Sequence, residues 1–302
     1  MEIRQTIAQV RQQLEQAKLV YGHGTANAAD EAAWLVLHVA GHRPGDGLPS
    51  ELGRQALSTA QINNIQLLLK RRIEERVPLA YLLGEAWFCG LRFLVSPEVL
   101  IPRSPIAELI QQGFQPWLPS DGALKILDLC TGSGCIAVAI ACWMTEVAVE
   151  AADISSAALR IARRNAVLNG VEGQLVFTQS DLFNELSGRR FDLIVSNPPY
   201  VPAAEYRNLP AEFLHEPGLG LAAGDEGLDL VLRILYQAPD YLTPSGILIC
   251  ELGYTWRILD DKLPDMPFTW LEFSHGGEGV FILERQQLIR HRSAVGRLLE
   301  ER

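Results

Sequence analysis

Lys125-Ile126-Leu127-Asp128-Leu129-Cys130-Thr131-Gly132-Ser133-Gly134-Cys135 is the stretch on which the fold turns. The apolar run from Lys125 to Cys130 reads as a buried strand, and the segment from Cys135 to Met144 reads as a helix. Between them, Gly132 and Gly134 let a backbone pass close to a ligand and offer amides at a helix N-terminus. The third glycine of a dinucleotide fingerprint is replaced by Ala137. No Gly-Lys-Ser/Thr follows, so a P-loop is excluded.

Downstream the same alternation continues. Val147 to Ala152, Gln174 to Thr178, Phe191 to Ser196 and Gly246 to Glu251 read as strands. Ser155 to Asn169, ended by Asn169-Gly170, and Asp225 to Ala238 read as helices. Phe268 to Phe273 and Gly279 to Glu284 read as an antiparallel hairpin through His275-Gly276-Gly277. Such a pattern predicts a Rossmann-like α/β fold, a mostly parallel sheet with helices on both faces and an antiparallel end. Residues 286–302 are charged and helical in pattern and read as a solvated tail.

Upstream, residues 1–84 read as a small all-α domain. Ile3, Ile7, Val10, Leu14 and Ala17 form one apolar stripe. Asn27 with Asp30 starts a second helix that Gly41 and Pro44 end. Ser58 with Gln61 forms a capping-box pattern for a third, which carries Ile62, Ile65, Leu68, Leu69 and Ile73 and which Pro78 closes. Such a cap is either a substrate-recognition module or an inert stabiliser. Residues 85–105 read as a hairpin linker around Gly90, followed by the stiff turn Ile101-Pro102-Arg103-Ser104-Pro105. Arg103 is either a surface residue of the linker or stands at the mouth of a site. The catalytic domain is expected over residues 106–302.

Composition narrows the class. The chain has 302 residues, 48% hydrophobic and 21% charged, and no apolar run of the ~20 residues that span a bilayer. MEIRQTIAQVRQQLEQ is polar and lacks a signal-peptide core, so a cytoplasmic location is expected. The five cysteines form no CxxC pair, and His38 with His42 lacks an evident third ligand, so no metal is expected. A net charge of −10 argues against a broad nucleic-acid surface and suits a basic partner.

Two groups of residues carry the chemistry. Asp128 ends the first strand of the sheet, Asp153 lies 19 positions after Gly134, and Asp181 follows the third strand. Each alone is an ordinary cap or turn residue. Together they suit a ligand with a cationic group, a ribose and an adenine, with no phosphate to hold, which fits S-adenosylmethionine better than NAD. The second group is Asn197-Pro198-Pro199-Tyr200, directly after the run Phe191 to Ser196. The prolines fix their own φ and push the preceding residues towards extended geometry. The Asn197 side-chain oxygen and the Pro198 carbonyl then become two acceptors for the hydrogens of a planar NH2, with the Tyr200 ring beside its carrier. Acceptors on both N–H bonds favour the positive charge that develops on nitrogen as it attacks a methyl group.

These residues resemble class I S-adenosylmethionine-dependent methyltransferases of the amino-methylating branch. The likeness to protein-glutamine N5 methyltransferases of the HemK/PrmC type covers nearly the whole chain: helical N-terminal domain, hairpin, Ile-Pro-Arg turn, Asn-Pro-Pro-Tyr and His215-Glu216-Pro217. Tyr81 to Gly90, Ser104-Pro105, Cys130 and Phe268 to Phe273 set it nearest the branch that acts on large-subunit ribosomal protein L-three. The release-factor branch typically has Pro-Asp at 104–105 and Gly at 130, and its residue at 182 can be aromatic where this chain has Leu182. The resemblance implies S-adenosyl-L-methionine as donor and S-adenosyl-L-homocysteine as product. It implies cofactor contacts from Cys130, Thr131, Gly132, Ser133, Gly134, Asp153 and Asn197, with Asp128, Asp181 and Leu182 completing the set. Asn197, Pro198, Pro199, Tyr200 and Arg103 are expected to hold the glutamine. Release factors and, more distantly, DNA adenine are the alternative substrates, and a non-enzymatic scaffold is a further alternative. A DNA enzyme calls for a basic cleft and a sizeable target-recognition domain, and neither is evident.

Overall fold

The computed structural model of the protein describes residues 1–43, 48–119 and 122–302. Helices α1 (Ile3–Gln16), α2 (Ala28–Ala40), α3 (Ser50–Arg54), α4 (Thr59–Glu74) and α5 (Leu79–Leu83) lead into strands β1 (Glu85–Phe88) and β2 (Leu91–Leu94), then α6 (Ile106–Gln111). Next come β3 (Leu124–Leu129), α7 (Cys135–Trp143), β4 (Val147–Asp153), α8 (Ser156–Leu168), β5 (Leu175–Gln179) and β6 (Phe191–Ser196). Finally α9 (Ala203–Tyr206), α10 (Asp229–Gln237), β7 (Leu242–Glu251), α11 (Trp256–Lys262), β8 (Thr269–Trp270), β9 (Val280–Glu284) and α12 (Arg285–Glu300) complete the chain.

Local chemistry sets the N-terminal helices. The Asn27 side chain accepts from the amides of Ala29 and Asp30, and Gly41 closes α2 in the left-handed region at φ 85°. Pro44, expected to help end that helix, lies outside the described residues. The Ser58–Gln61 capping box opens α4. Pro78 does more than close a helix: α4 stops at Glu74, and Pro78 is the N-cap of the short α5. In the β1–β2 hairpin, Cys89 at φ 51° and Gly90 at φ 75° form a tight turn whose positive angles match the strand twist.

The seven-stranded sheet has the order β5-β4-β3-β6-β7-β9-β8. Strands β3 to β7 are parallel, β9 is antiparallel to β7, and β8 is antiparallel to β9. Because side chains alternate, Ile126, Leu193, Val195 and Ile249 face α6 and α7, while Leu127, Ile194, Leu248 and Leu283 face α10 and α12. Both faces are covered, which is why these strands read as unbroken apolar runs. The apolar core of α1, α2 and α4 does not stop at the hairpin; it continues through Ala86, Val95 and Ile101 to Ala158 and Ile161 of α8.

Three expectations need correction. Residues 286–302 are not a solvated tail, since α12 buries Leu288 and Val295 against the sheet and α10. The helix expected from Asp225 begins at Asp229, because Gly224 at φ 73° and Gly227 at φ 76° hold the preceding residues in turns. The strand expected over 268–273 shrinks to Thr269–Trp270.

Candidate active site

Strand register brings the two chemical motifs together. Leu129 pairs with Ser196 across β3 and β6, and with Ala152 across β3 and β4. Ser196 pairs with Cys250 across β6 and β7. The glycine loop, Asp153, Asn197 and Glu251 therefore leave neighbouring strands at the same edge, around the point between β3 and β6 where strand order reverses. The Ser196 hydroxyl donates to the Leu129 carbonyl at 2.7 Å, which ties the two strand ends together. At this edge opens a cavity of about 410 Å³, within the usual range for a ligand site.

The glycine loop is held from below. Asp128 is buried and its Oδ2 accepts from the Thr131 hydroxyl at 2.5 Å and the Ala137 amide at 3.0 Å. It does not line the cavity, so it braces the loop where a ligand contact was expected. Burial raises its carboxyl to about 7. Gly134 is likewise absent from the lining. A Cβ there meets the Cβ of Ala162 at 2.9 Å, so this glycine serves the approach of α7 to α8. Cys130, Thr131, Gly132 and Ser133 do line the cavity. Cys130 takes φ 63°, and burial pushes its thiol well up, so it remains protonated. Asn165, fully buried, donates to the carbonyls of Ser133 and Leu94 at 2.8 and 3.0 Å and accepts from the Leu94 amide at 2.7 Å. The loop is thereby anchored to the hairpin.

Asp153 lines the cavity while its two oxygens accept from the amides of Gly132 and Ser155, each at 2.8 Å. A carboxylate has further lone pairs, so it can also accept hydroxyls. Asp181 and Leu182 line the same space, but both Asp181 oxygens accept from Arg233 of α10 at 2.9 and 3.0 Å. Leu182 sits at φ 49° in a turn that the Ser180 hydroxyl stabilises by donating to its carbonyl at 2.7 Å.

In the Asn-Pro-Pro-Tyr turn, Asn197 and Pro199 line the cavity; Pro198 is buried, and neither it nor Tyr200 is part of the lining. Tyr200 lies against Gly253, where a Cβ falls 2.9 Å from the ring. Its hydroxyl points to Glu251 at 3.4 Å. Arg103 lines the cavity and is gripped by Glu216, Nη1 to Oε1 at 2.7 Å and Nη2 to Oε2 at 2.6 Å. Glu216 also accepts from the Ile101 amide at 3.0 Å and has His23 Nε2 at 3.5 Å. Burial opposes its charge, but the nearby His23 and the hydrogen-bonded Arg103 outweigh that and pull it down to about 2. His38, paired by sequence with His42, instead meets Glu85 at 2.7 Å.

Reasoning from sequence gave no site role to Glu251, Arg233 or Asn165. Their partners come from distant parts of the chain, and only Glu251, closing a predicted strand at the ligand edge, carried a local signal. Ser104 and Glu216 were quoted only within larger motifs.

A Methyltransferase small domain family model matches residues 114–224, and a PrmC N-terminal domain model matches residues 5–84. A ribosomal protein uL3 glutamine methyltransferase from Xanthomonas campestris pv. campestris is 48% identical over 95% of this chain and 92% of its own. The chain belongs to this glutamine methyltransferase family. The namesake enzyme of Xylella fastidiosa is 47% identical over 95% of this chain and 91% of its own. The methyltransferase also shares its fold with the hMettl16 catalytic domain, solved with a MAT2A 3'UTR hairpin: 17% identity, TM-score 0.51, covering 82% of this chain and 90% of that one. Among its described residues no helix is long and apolar enough to cross a membrane.

Proposed function

We propose that this methyltransferase transfers a methyl group from S-adenosyl-L-methionine to the side-chain amide nitrogen of a glutamine in ribosomal protein uL3, in the cytoplasm. The observation that carries the reading is the register: Leu129 opposite Ser196 sets the glycine loop and Asn197 on one cavity. The names of relatives 47–48% identical over nearly the full length support uL3 over release factors. A net charge of −10 agrees with a basic protein partner.

The cavity fits the donor. It is lined by Asp153 for ribose hydroxyls, by the backbone of Cys130 to Ser133, and by Leu182 against a flat base. Ser133 lines it too, and its hydroxyl is buried without a hydrogen-bond partner among the described residues. These groups, with Asn197, would hold the cofactor, which supplies an electrophilic sulfonium methyl when bound. Asp128 and Gly134 act beneath them by shaping the loop. Asn197 Oδ1 and the Pro198 carbonyl accept the two N–H bonds of the carboxamide, aim its nitrogen and favour the charge that develops there. Pro199 and Tyr200 flank the amide, and Arg103 stands at the rim. The methylated nitrogen releases its proton to water afterwards, so no general base is required. We assign residues 1–84 to substrate recognition, 85–105 to the linker and 106–302 to catalysis.

Labelled methyl transfer to purified uL3 and to release factors, followed by mass spectrometry of the modified peptide, tests the reading. Transfer to a glutamine of uL3 is expected. Preference for a release factor overturns the substrate, and transfer to neither overturns the activity.

A further inference from the structure

Glu251 is a buried carboxylate at the centre of the site that the mechanism above leaves unused. It is the last residue of β7, one step beyond the Ser196–Cys250 pair, and so lies beside Asn197. Only 5% of it is exposed, and it does not line the cavity. Its Oε2 accepts from the Ser104 hydroxyl at 2.5 Å, and its Oε1 faces the Tyr200 hydroxyl at 3.4 Å. Ser104 Oγ in turn accepts from the Ile106 amide at 3.2 Å, so its own hydrogen is committed to Glu251. One carboxylate therefore joins the turn that carries Arg103 to the turn that carries Asn197.

We propose that Glu251 is a positioning residue: it clamps these two turns together and fixes the Asn197 amide with nitrogen inwards and oxygen towards the cavity. This rests on the methyl-transfer reading, in which Asn197 must present an acceptor. The two ends of an asparagine amide have nearly the same shape and opposite hydrogen-bonding character. An ionised carboxylate accepts only, so it selects the nitrogen end and leaves the oxygen for the substrate. Once protonated, it becomes a donor as well and no longer discriminates between the ends.

The surroundings of Glu251 make that switch accessible. Burial raises its carboxyl to about 7, while the Ser104 and Tyr200 hydroxyls bonded to it, the charge of Arg103 and the neighbouring Asn197 amide favour ionisation. Tyr254 raises the Tyr200 hydroxyl beside it, and Cys250 is its neighbour on β7. Opposite it on β9 stands the apolar Val280. Turnover is therefore expected to rise with pH through about 7, as Glu251 ionises.

The direct test is the Asn197 side-chain amide resonance in ¹⁵N-labelled, cofactor-free protein, assigned by its loss in Asn197→Ala. It is expected to move with a midpoint near pH 7 in the wild type and to stay still in Glu251→Gln. With uL3 as substrate, Glu251→Gln is expected to lower kcat about 10²-fold while KM and cofactor affinity by calorimetry stay within about twofold. Its remaining activity should not rise through neutral pH. Should the variant fail to fold, the wild-type titration decides alone. An Asn197 resonance that ignores pH between 5 and 9, or a Glu251→Gln enzyme with wild-type kcat and pH profile, overturns the proposal. A wild type inactive on uL3 overturns the proposed substrate instead and leaves the amide titration standing.

Discussion

Asn197 and Gly134 show two ways in which a single residue controls this site. In Asn197→Ala the diproline backbone remains, but one of two acceptors aimed at the substrate nitrogen is lost. By analogy with removal of an oxyanion-hole donor, single-turnover transfer at saturating cofactor should fall about 10²–10³-fold. A near-wild-type rate would remove Asn197 from the mechanism. Gly134 acts through packing. At φ 78° its Cβ would also meet Ala162 Cα at 3.1 Å, and that atom is backbone and cannot rotate away. Gly134→Ala should cost about 1–3 kcal/mol from left-handed strain and overpacking, read as a lower urea midpoint. Equal midpoints for variant and wild type would mean that α7 and α8 are free to separate. Both residues were legible as special in the sequence, because glycine and proline announce backbone constraint. The reason for Gly134 was not, since Ala162 lies 28 positions away and becomes its neighbour only when α8 packs.

At the scale of elements, β3 to β7 were readable because strands covered on both faces must be apolar along their length. The misjudged element was α12. Its charge suggests solvent, yet Leu288 and Val295, seven residues apart, fall on one face, with Leu298 and Leu299 half-buried beside them. Polar anchors reinforce the seat: Arg285 donates to the Pro239 carbonyl at 2.9 Å, and Arg292 pairs with Asp240. Arg302 pairs with Asp229 and Glu226, the former in the first turn of α10. Leu288→Ala should therefore cost about 2–5 kcal/mol by chemical denaturation, as expected for a methylene cluster removed from a closed core. A loss within the scatter of surface substitutions would restore the solvated tail.

Over the whole molecule, the helical N-terminal segment reaches the site through a chain of charges. Glu212 accepts from the Val20 amide at 3.0 Å and faces Arg72 and Arg76 at 3.6 and 3.4 Å, while His215 meets the Glu75 carbonyl at 2.9 Å. Next along that segment, Glu216 holds Arg103 at the cavity and has His23 beside it. This arrangement sets a pH response. Glu216 lies at about 2 in the folded protein against 4.5 for the free side chain, so folding favours its ionised form. The stabilisation is complete above pH 4.5 and is lost as pH falls towards about 2. The stability gap between wild type and Glu216→Gln should accordingly narrow by on the order of 3 kcal/mol from about pH 6 to about pH 2. A gap that stays constant over that range would mean that Glu216 titrates alike folded and unfolded. The sequence by itself determined the layered α/β architecture, the cofactor loop and the diproline turn, because periodicity, glycine and proline act over a few residues. Only the tertiary structure decided that Asp128 and Gly134 serve the loop from beneath, that Asp181 answers to Arg233, and that Glu216 and Glu251 govern the two turns at the cavity. Those roles depend on which groups share a buried volume, and that is settled by packing between segments as far as 192 residues apart, from Val20 to Glu212.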